Sequence, residues 1–167
     1  MVADLETEAV SLTPSQAARR ERVLRTALEL GATGGYDAVQ MRDVASSAGV
    51  ALGTIYRYFE SKDHLLAAAM VEWVADLERR VGQRPPKGDS VAERVMDVLA
   101  RATRAMEREP RLSEAVVTAL MSPDKGAAAC QQAVAGSMTR ILAPALGSDF
   151  DPALRADMTR TLGHVWF

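Results

Sequence analysis

Met41–Arg42–Asp43–Val44–Ala45–Ser46–Ser47–Ala48–Gly49–Val50–Ala51–Leu52–Gly53–Thr54–Ile55–Tyr56–Arg57–Tyr58–Phe59 pairs two short apolar patterns around a central glycine. Val44, Ala45 and Ala48 share one face of a short helix over roughly 41–48. Gly49 breaks it, because a tight turn favours a residue that tolerates positive φ. A second short helix then runs through Leu52–Phe59. At ~100° per residue, Phe59, Leu52 and Ala51 fall within about 60° of Ile55 and form the inward side. Gly53, Thr54 and Arg57 point away, and Tyr56 stands to one side. Two short helices around a glycine turn predict a helix-turn-helix.

The outward face suits a DNA groove. Gly53 lets backbone approach a duplex closely, Arg57 matches a guanine edge in bidentate fashion, and Thr54 reaches a thymine methyl or a phosphate. Tyr56 and Tyr58 suit phosphate and sugar contacts. Lys62, at the start of the next helix, is placed to grip the following phosphate with help from the helix N-terminus. Bulk charge is silent on this point: the chain carries a net −2, and residues 15–64 hold seven Lys/Arg against six acids. A DNA partner is therefore argued from placement rather than from total charge.

Upstream, residues 1–13 are polar and aperiodic and read as a disordered tail. The first helix starts near Pro14–Ser15, carries Leu24, Ala27, Leu28 and Gly31 at helical spacing, and ends at Thr33–Gly34–Gly35. Tyr36 and Val39 then cover the end of its core. Downstream, Ser61 is a good N-cap for a fourth helix, with Asp63 in the first turn. That helix carries Leu65, Leu66, Ala69, Met70, Trp73, Val74, Leu77 and Val81 in two adjacent rows and extends to Arg84, before Pro85–Pro86. Further helices are expected at about 91–108, 111–121 and 124–146, and an eighth after Asp151–Pro152, an N-cap followed by proline. No stop signal precedes Val165–Trp166–Phe167, so the body is expected to be cut within this eighth helix.

The fold expected is all-α. A helix-turn-helix head (14–62) is joined by a long fourth helix to a helical body (63–167). Of the 167 residues, 48% are hydrophobic and only 5% aromatic, which suits packed helices better than a β-sandwich. Cys130 is the only cysteine, so no internal disulfide forms, and its Ala-rich setting makes it a small apolar filler. Asp4, Glu6 and Glu8 stand where a signal peptide would be basic, and no apolar run reaches the ~18 residues of a membrane span. A cytoplasmic protein without membrane association is the expectation. His64 reads as a surface residue, and His164 lacks ligand-spaced partners, so no metal or cofactor is expected.

Thr54–Ile55–Tyr56–Arg57–Tyr58–Phe59–Glu60–Ser61–Lys62 resembles the signature that ends the helix-turn-helix of the TetR family of transcriptional regulators. Gly35–Tyr36–Asp37–Ala38 and Arg42–Asp43–Val44–Ala45 also look like family positions, which adds Arg42 to the DNA-contacting set. Gln40 departs from the threonine or serine that many members place before the second helix. A narrower likeness, carried by Gly34–Arg42, Gly53–Phe59 and Arg104–Arg108, is to the KstR group, repressors of sterol (cholesterol) catabolism that respond to a sterol-derived CoA thioester. The resemblance implies a repressor that binds a palindromic operator as a homodimer and is released by a hydrophobic or acyl-CoA-type inducer. It further implies a ligand chamber in the body, for which Met70, Trp73, Leu99, Met106, Val116, Leu120, Met138 and Trp166 are the candidate lining. Met96, Met121 and Met158 belong to the same methionine-rich region, and flexible thioethers suit such a cavity. Arg101, Arg104 and Arg108 form a basic stripe, either paired with acids such as Asp97 or facing ligand phosphates.

Two other functional classes stand beside this one. An enzyme would show a nucleophile elbow, a phosphate-binding glycine loop or a triad, and none is present. A helical interaction module without a ligand is the other alternative.

Overall fold

The computed structural model of the protein describes residues 12–147 and 150–166, with side chains to Leu162. Most of the tail expected at 1–13 lies outside these residues, as do Phe167 and the side chains of His164 and Trp166. The described residues form eight helices and no strand: α1 (Pro14–Ala38), α2 (Met41–Ala48), α3 (Leu52–Tyr56), α4 (Lys62–Gly82), α5 (Val91–Glu107), α6 (Pro110–Leu120), α7 (Lys125–Leu146) and α8 (Pro152–Trp166).

Local chemistry sets most boundaries. Thr13 and Gln16 form a reciprocal capping box with Pro14 at the first helical position. Ser90 and Glu93 repeat the box at α5. Asp151 accepts from the amides of Ala153 and Leu154 and so opens α8. Gly49 ends α2 in the left-handed conformation at φ 65°, as its place in the turn required.

Three boundaries and one inward assignment differ from the sequence expectation. α1 does not stop at Gly35: that residue breaks the helix at φ 72°, and one further turn follows to Ala38. α3 is shorter than expected, ending at Tyr56. Phe59 N–H still donates to Ile55 O at 2.9 Å, so Arg57–Phe59 continue as a hydrogen-bonded turn. Ala51, expected inward, is exposed at the N-cap of α3, where backbone is extended rather than helical. α4 ends at Gly82, and a closing turn in which Arg84 N–H donates to Val81 O carries the chain toward the prolines.

Two compact units result. One holds the chain up to Val71 together with Glu109–Gln132; the other holds Glu72–Arg108 and the chain from Ala133 on. This division differs from a line drawn at 62/63. In the first unit α6 packs along α1, and Leu112, Ala115, Val116, Ala119 and Leu120 are buried. Gly31 permits the approach: a Cβ there would stand 3.1 Å from Leu112 Cδ1. Arg111 reinforces it by donating to Thr33 O at 2.7 Å.

In the second unit, Arg140 Nε donates to Glu78 at 2.8 Å and Arg94 Nε to Ala145 O at 2.9 Å, tying α7 to α4 and α5. Arg101 pairs with Asp97 and donates to the carbonyls of Arg84 and Pro85, so it braces the loop before α5. The amide of Lys87 donates to Asp97 and holds that carboxyl below its usual range, with Arg101 adding to the effect. No described helix is long and apolar enough to cross a membrane.

Candidate nucleic-acid interface

Ile55 and Phe59 fix the recognition segment from behind, at 0% and 1% exposure. Val44, Ala45 and Ala48 of α2 are buried with them. Phe59 has two further contacts: the Arg20 guanidinium lies 5.4 Å from its ring centroid, and the His64 imidazole meets it in a T-shaped arrangement at 5.6 Å.

With the apolar residues committed inward, the polar ones face out. Arg42, Gly53 and Arg57 are exposed, Tyr56 is 52% exposed, and Thr54 is half-buried. A Cβ on Gly53 would meet nothing within 4 Å. The open space there leaves the α3 backbone accessible. The arrangement offers a guanidinium, a phenol and bare backbone on one short helix, which matches the donors and the close approach that base edges and phosphates call for.

Two sequence-assigned residues are turned to other work. Lys62 Nζ sits 3.6 Å from the Tyr36 ring centroid and donates to Tyr36 O at 3.3 Å. Tyr58 is half-buried beneath the Arg57 guanidinium, and its hydroxyl is buried without a hydrogen-bond partner. It therefore does not present an oxygen outward in this conformation. An unpaired buried hydroxyl costs about 1–3 kcal/mol. Tyr58→Phe is accordingly expected to raise unfolding stability by about 1 kcal/mol in urea titration, and a loss of stability would show that the hydroxyl is bonded.

Behind this face lies a group that sequence reading missed. Asp63 Oδ1 accepts from Tyr36 Oη at 2.5 Å, and Oδ2 accepts from Ser122 Oγ at 2.6 Å. These partners lie 27 and 59 residues away, and no local pattern announces such a pairing. The hydrogen bond to Asp63, helped by burial, pushes the Tyr36 phenol up to about 12 from 10.0. A raised acid stabilises the fold while protonated, so its contribution is whole below pH 10.0 and is lost as pH rises toward about 12. Tyr36→Phe is therefore expected to flatten the alkaline fall in stability over that window; an unchanged alkaline limb would contradict the assignment.

Residues 23–69 match the family model for bacterial regulatory proteins of the tetR family. Residues 88–167 match a model for tetracycline repressor-like C-terminal domains. The HTH-type transcriptional repressor KstR of Rhodococcus jostii is 42% identical over 91% of this chain and 71% of its own length. The chain belongs to the TetR family.

KstR of Mycobacterium tuberculosis is a further relative, 33% identical over 91% of this chain and 69% of its own. Among solved structures, a TetR transcriptional regulator from Rhodococcus sp. RHA1 superposes with a TM-score of 0.78 at 33% identity, covering 91% of this chain and 81% of that one. The family consists of transcriptional regulators rather than enzymes.

The residues assigned to a ligand chamber in this TetR-family chain do not share one compact unit. Met70, Val116 and Leu120 are buried in the unit that holds the helix-turn-helix. Met138 is buried in the other unit, where Trp73, Leu99 and Met106 are half-buried. Two methionines correct the expectation of a thioether-lined interior: Met96 is 63% exposed and Met121 57%. Met96 lies on the outer face of α5, while Val95, Val98 and Ala102 take its inner face. His64 also differs from expectation. It is half-buried against Phe59, with Nδ1 accepting from Glu60 N–H at 3.3 Å. Among the described residues no group of three His, Cys, Asp or Glu could hold a metal. Burial pushes the Cys130 thiol up to about 11, which fits an inert filler.

Proposed function

We propose that this protein is a transcriptional repressor that reads operator DNA through Arg42, Gly53, Thr54, Tyr56 and Arg57. Lys62 and Tyr58 contact backbone after side-chain rearrangement. The observation that carries the reading is the two-sided α3. Ile55 and Phe59 are fully buried behind it, while Arg57, Tyr56 and the open Gly53 face outward. It acts as a cytoplasmic homodimer on a palindromic site, with half-sites roughly 34 Å apart, so that two heads enter successive major grooves.

As the resemblance to the KstR group implies, the proposed role is in sterol or lipid catabolism, with a hydrophobic or acyl-CoA-type inducer as the releasing signal. Trp73, Leu99, Met106 and Met138, which share the second unit, are the proposed lining of its site. With Arg101 bound to Asp97 and backbone carbonyls, Arg104 of α5 and Arg108 at its C-cap are exposed cations placed to meet ligand phosphates.

Genomic footprinting with the protein tests the DNA role, and the bound promoters name the pathway. Binding at a few palindromic sites is expected; uniform low occupancy would overturn it. A thermal-shift series with sterol acyl-CoAs, fatty acyl-CoAs and simple hydrophobes tests the inducer class. A ligand at 100 times its Kd adds about 2.7 kcal/mol of stability. No shift with any of the three would leave the interaction-module reading in its place.

A further inference from the structure

The first turn of α4 and the loop between α6 and α7 are fastened by three separate devices, all within the unit that carries the helix-turn-helix. The first is Asp63. An acid in the first turn of a helix ordinarily serves the helix dipole alone. Here both carboxylate oxygens are taken by hydroxyls from distant segments, Tyr36 at the end of α1 and Ser122 just after α6. Hydrogen bonds to a charged acceptor are roughly twice as strong as neutral ones, so this carboxylate is a firm joint.

The second device is Asp124. Its Oδ1 accepts from the amides of Gly126 at 2.8 Å and Ala127 at 3.1 Å, capping α7. The same carboxylate hydrogen-bonds with Ser61, whose Oγ accepts from the amide of His64 at 2.9 Å. Burial acts to raise the Asp124 pKa. The hydrogen bonds from Ala127, Ser61 and Gly126, with His64 nearby, outweigh it and hold the carboxyl below its ordinary range.

The third device is steric. The His64 imidazole rests on the bare backbone of Gly126, where a Cβ would stand only 2.5 Å from His64 Cγ. The same imidazole meets Phe59, the anchor of the recognition turn, at 5.6 Å. A chain of direct contacts thus runs from Gly126 through His64 to Phe59.

We propose that the α6–α7 loop and the first turn of α7 form a positioning element for DNA reading, in which Ser122, Asp124 and Gly126 set the places of Asp63, Ser61 and His64 and thereby of Phe59 and α3. The inference rests on the DNA-reading function proposed above. Ser122, Asp124 and Gly126 do not belong to the outward polar face of α2 and α3. They act through other residues and contact no base. Operator affinity should therefore respond to substitutions in a loop more than 60 positions beyond the recognition helix.

The test uses the full chain and the duplex that wild type selects from a random pool, with a scrambled duplex of equal length as control. Ser122→Ala is expected to weaken binding to the selected duplex about fivefold to tenfold while leaving the scrambled duplex unaffected, and Ser122→Thr, which keeps the hydroxyl, to restore it. Gly126→Ala is expected to cost about tenfold alone and under about twofold in a His64→Gly background, where both the ring and the Cβ that stands 2.9 Å from the new methyl are absent. Wild-type affinity in Ser122→Ala, equal losses on both duplexes, or a Gly126→Ala cost independent of His64 would each overturn the positioning role. A wild type that selects no duplex would instead fail the DNA reading itself, and this inference with it.

Discussion

Leu112→Ala is expected to lower unfolding stability by about 2–5 kcal/mol, the range for truncating a buried leucine that cannot be repacked. Leu112 is buried on α6, and its Cδ1 fills the space that a Cβ on Gly31 would enter. Glycine at 31 is what lets α6 lie this close, so little slack exists for the neighbours to collapse into a cavity. The damage should register in the head: amides of α1 around Val23–Gly31 should lose hydrogen-exchange protection along with those of α6. Unchanged protection in α1 would show that residues 14–62 form an independent unit and that α6 is not part of its core.

Arg57→Ala is expected to weaken operator binding by about 1–3 kcal/mol, roughly fivefold to 150-fold, and to relax preference at one base position. The guanidinium is exposed, and among the described residues its contact is a cation–π one with the Tyr58 ring, at 5.7 Å. It is therefore available to a guanine edge without breaking an ion pair. Anisotropy titration at fixed salt checks this, because a contact to a base changes the ratio of specific to non-specific binding, whereas a contact to phosphate lowers both. Equal losses on operator and scrambled DNA would move Arg57 to the phosphate group of contacts.

The parts of this molecule legible in the sequence are those that local chemistry decides. Gly49 needed a left-handed backbone, Asp151 and Ser61 had amides to cap, and Ile55 with Phe59 had one shared face on which to hide. Helical periodicity also found most of the core of α4, from Leu65 to Val81. What escaped was decided at long range. Nothing near Asp63 tells of Ser122, and nothing in the α6 sequence tells that it joins α1. The exposure of Met96 was hidden for a related reason: a methionine reads as core until its helix is known to have a better apolar face, here that of Val95, Val98 and Ala102. Tyr58 was assigned to phosphate and sugar contacts from its phenol alone. Three residues beyond Ile55, at ~100° per residue, it falls about 60° from the buried side, and its hydroxyl is enclosed there.

The central claim is that Gly53, Thr54 and Arg57 meet the bases of a duplex. Selection of binding sequences from a random pool by wild type and by a Thr54→Ala, Arg57→Ala double variant tests it most directly. The account expects wild type to enrich a consensus of two inverted half-sites, and the double variant to lose preference at the base positions those side chains touch. Enrichment of no sequence by wild type, or an identical consensus from both proteins, would contradict it.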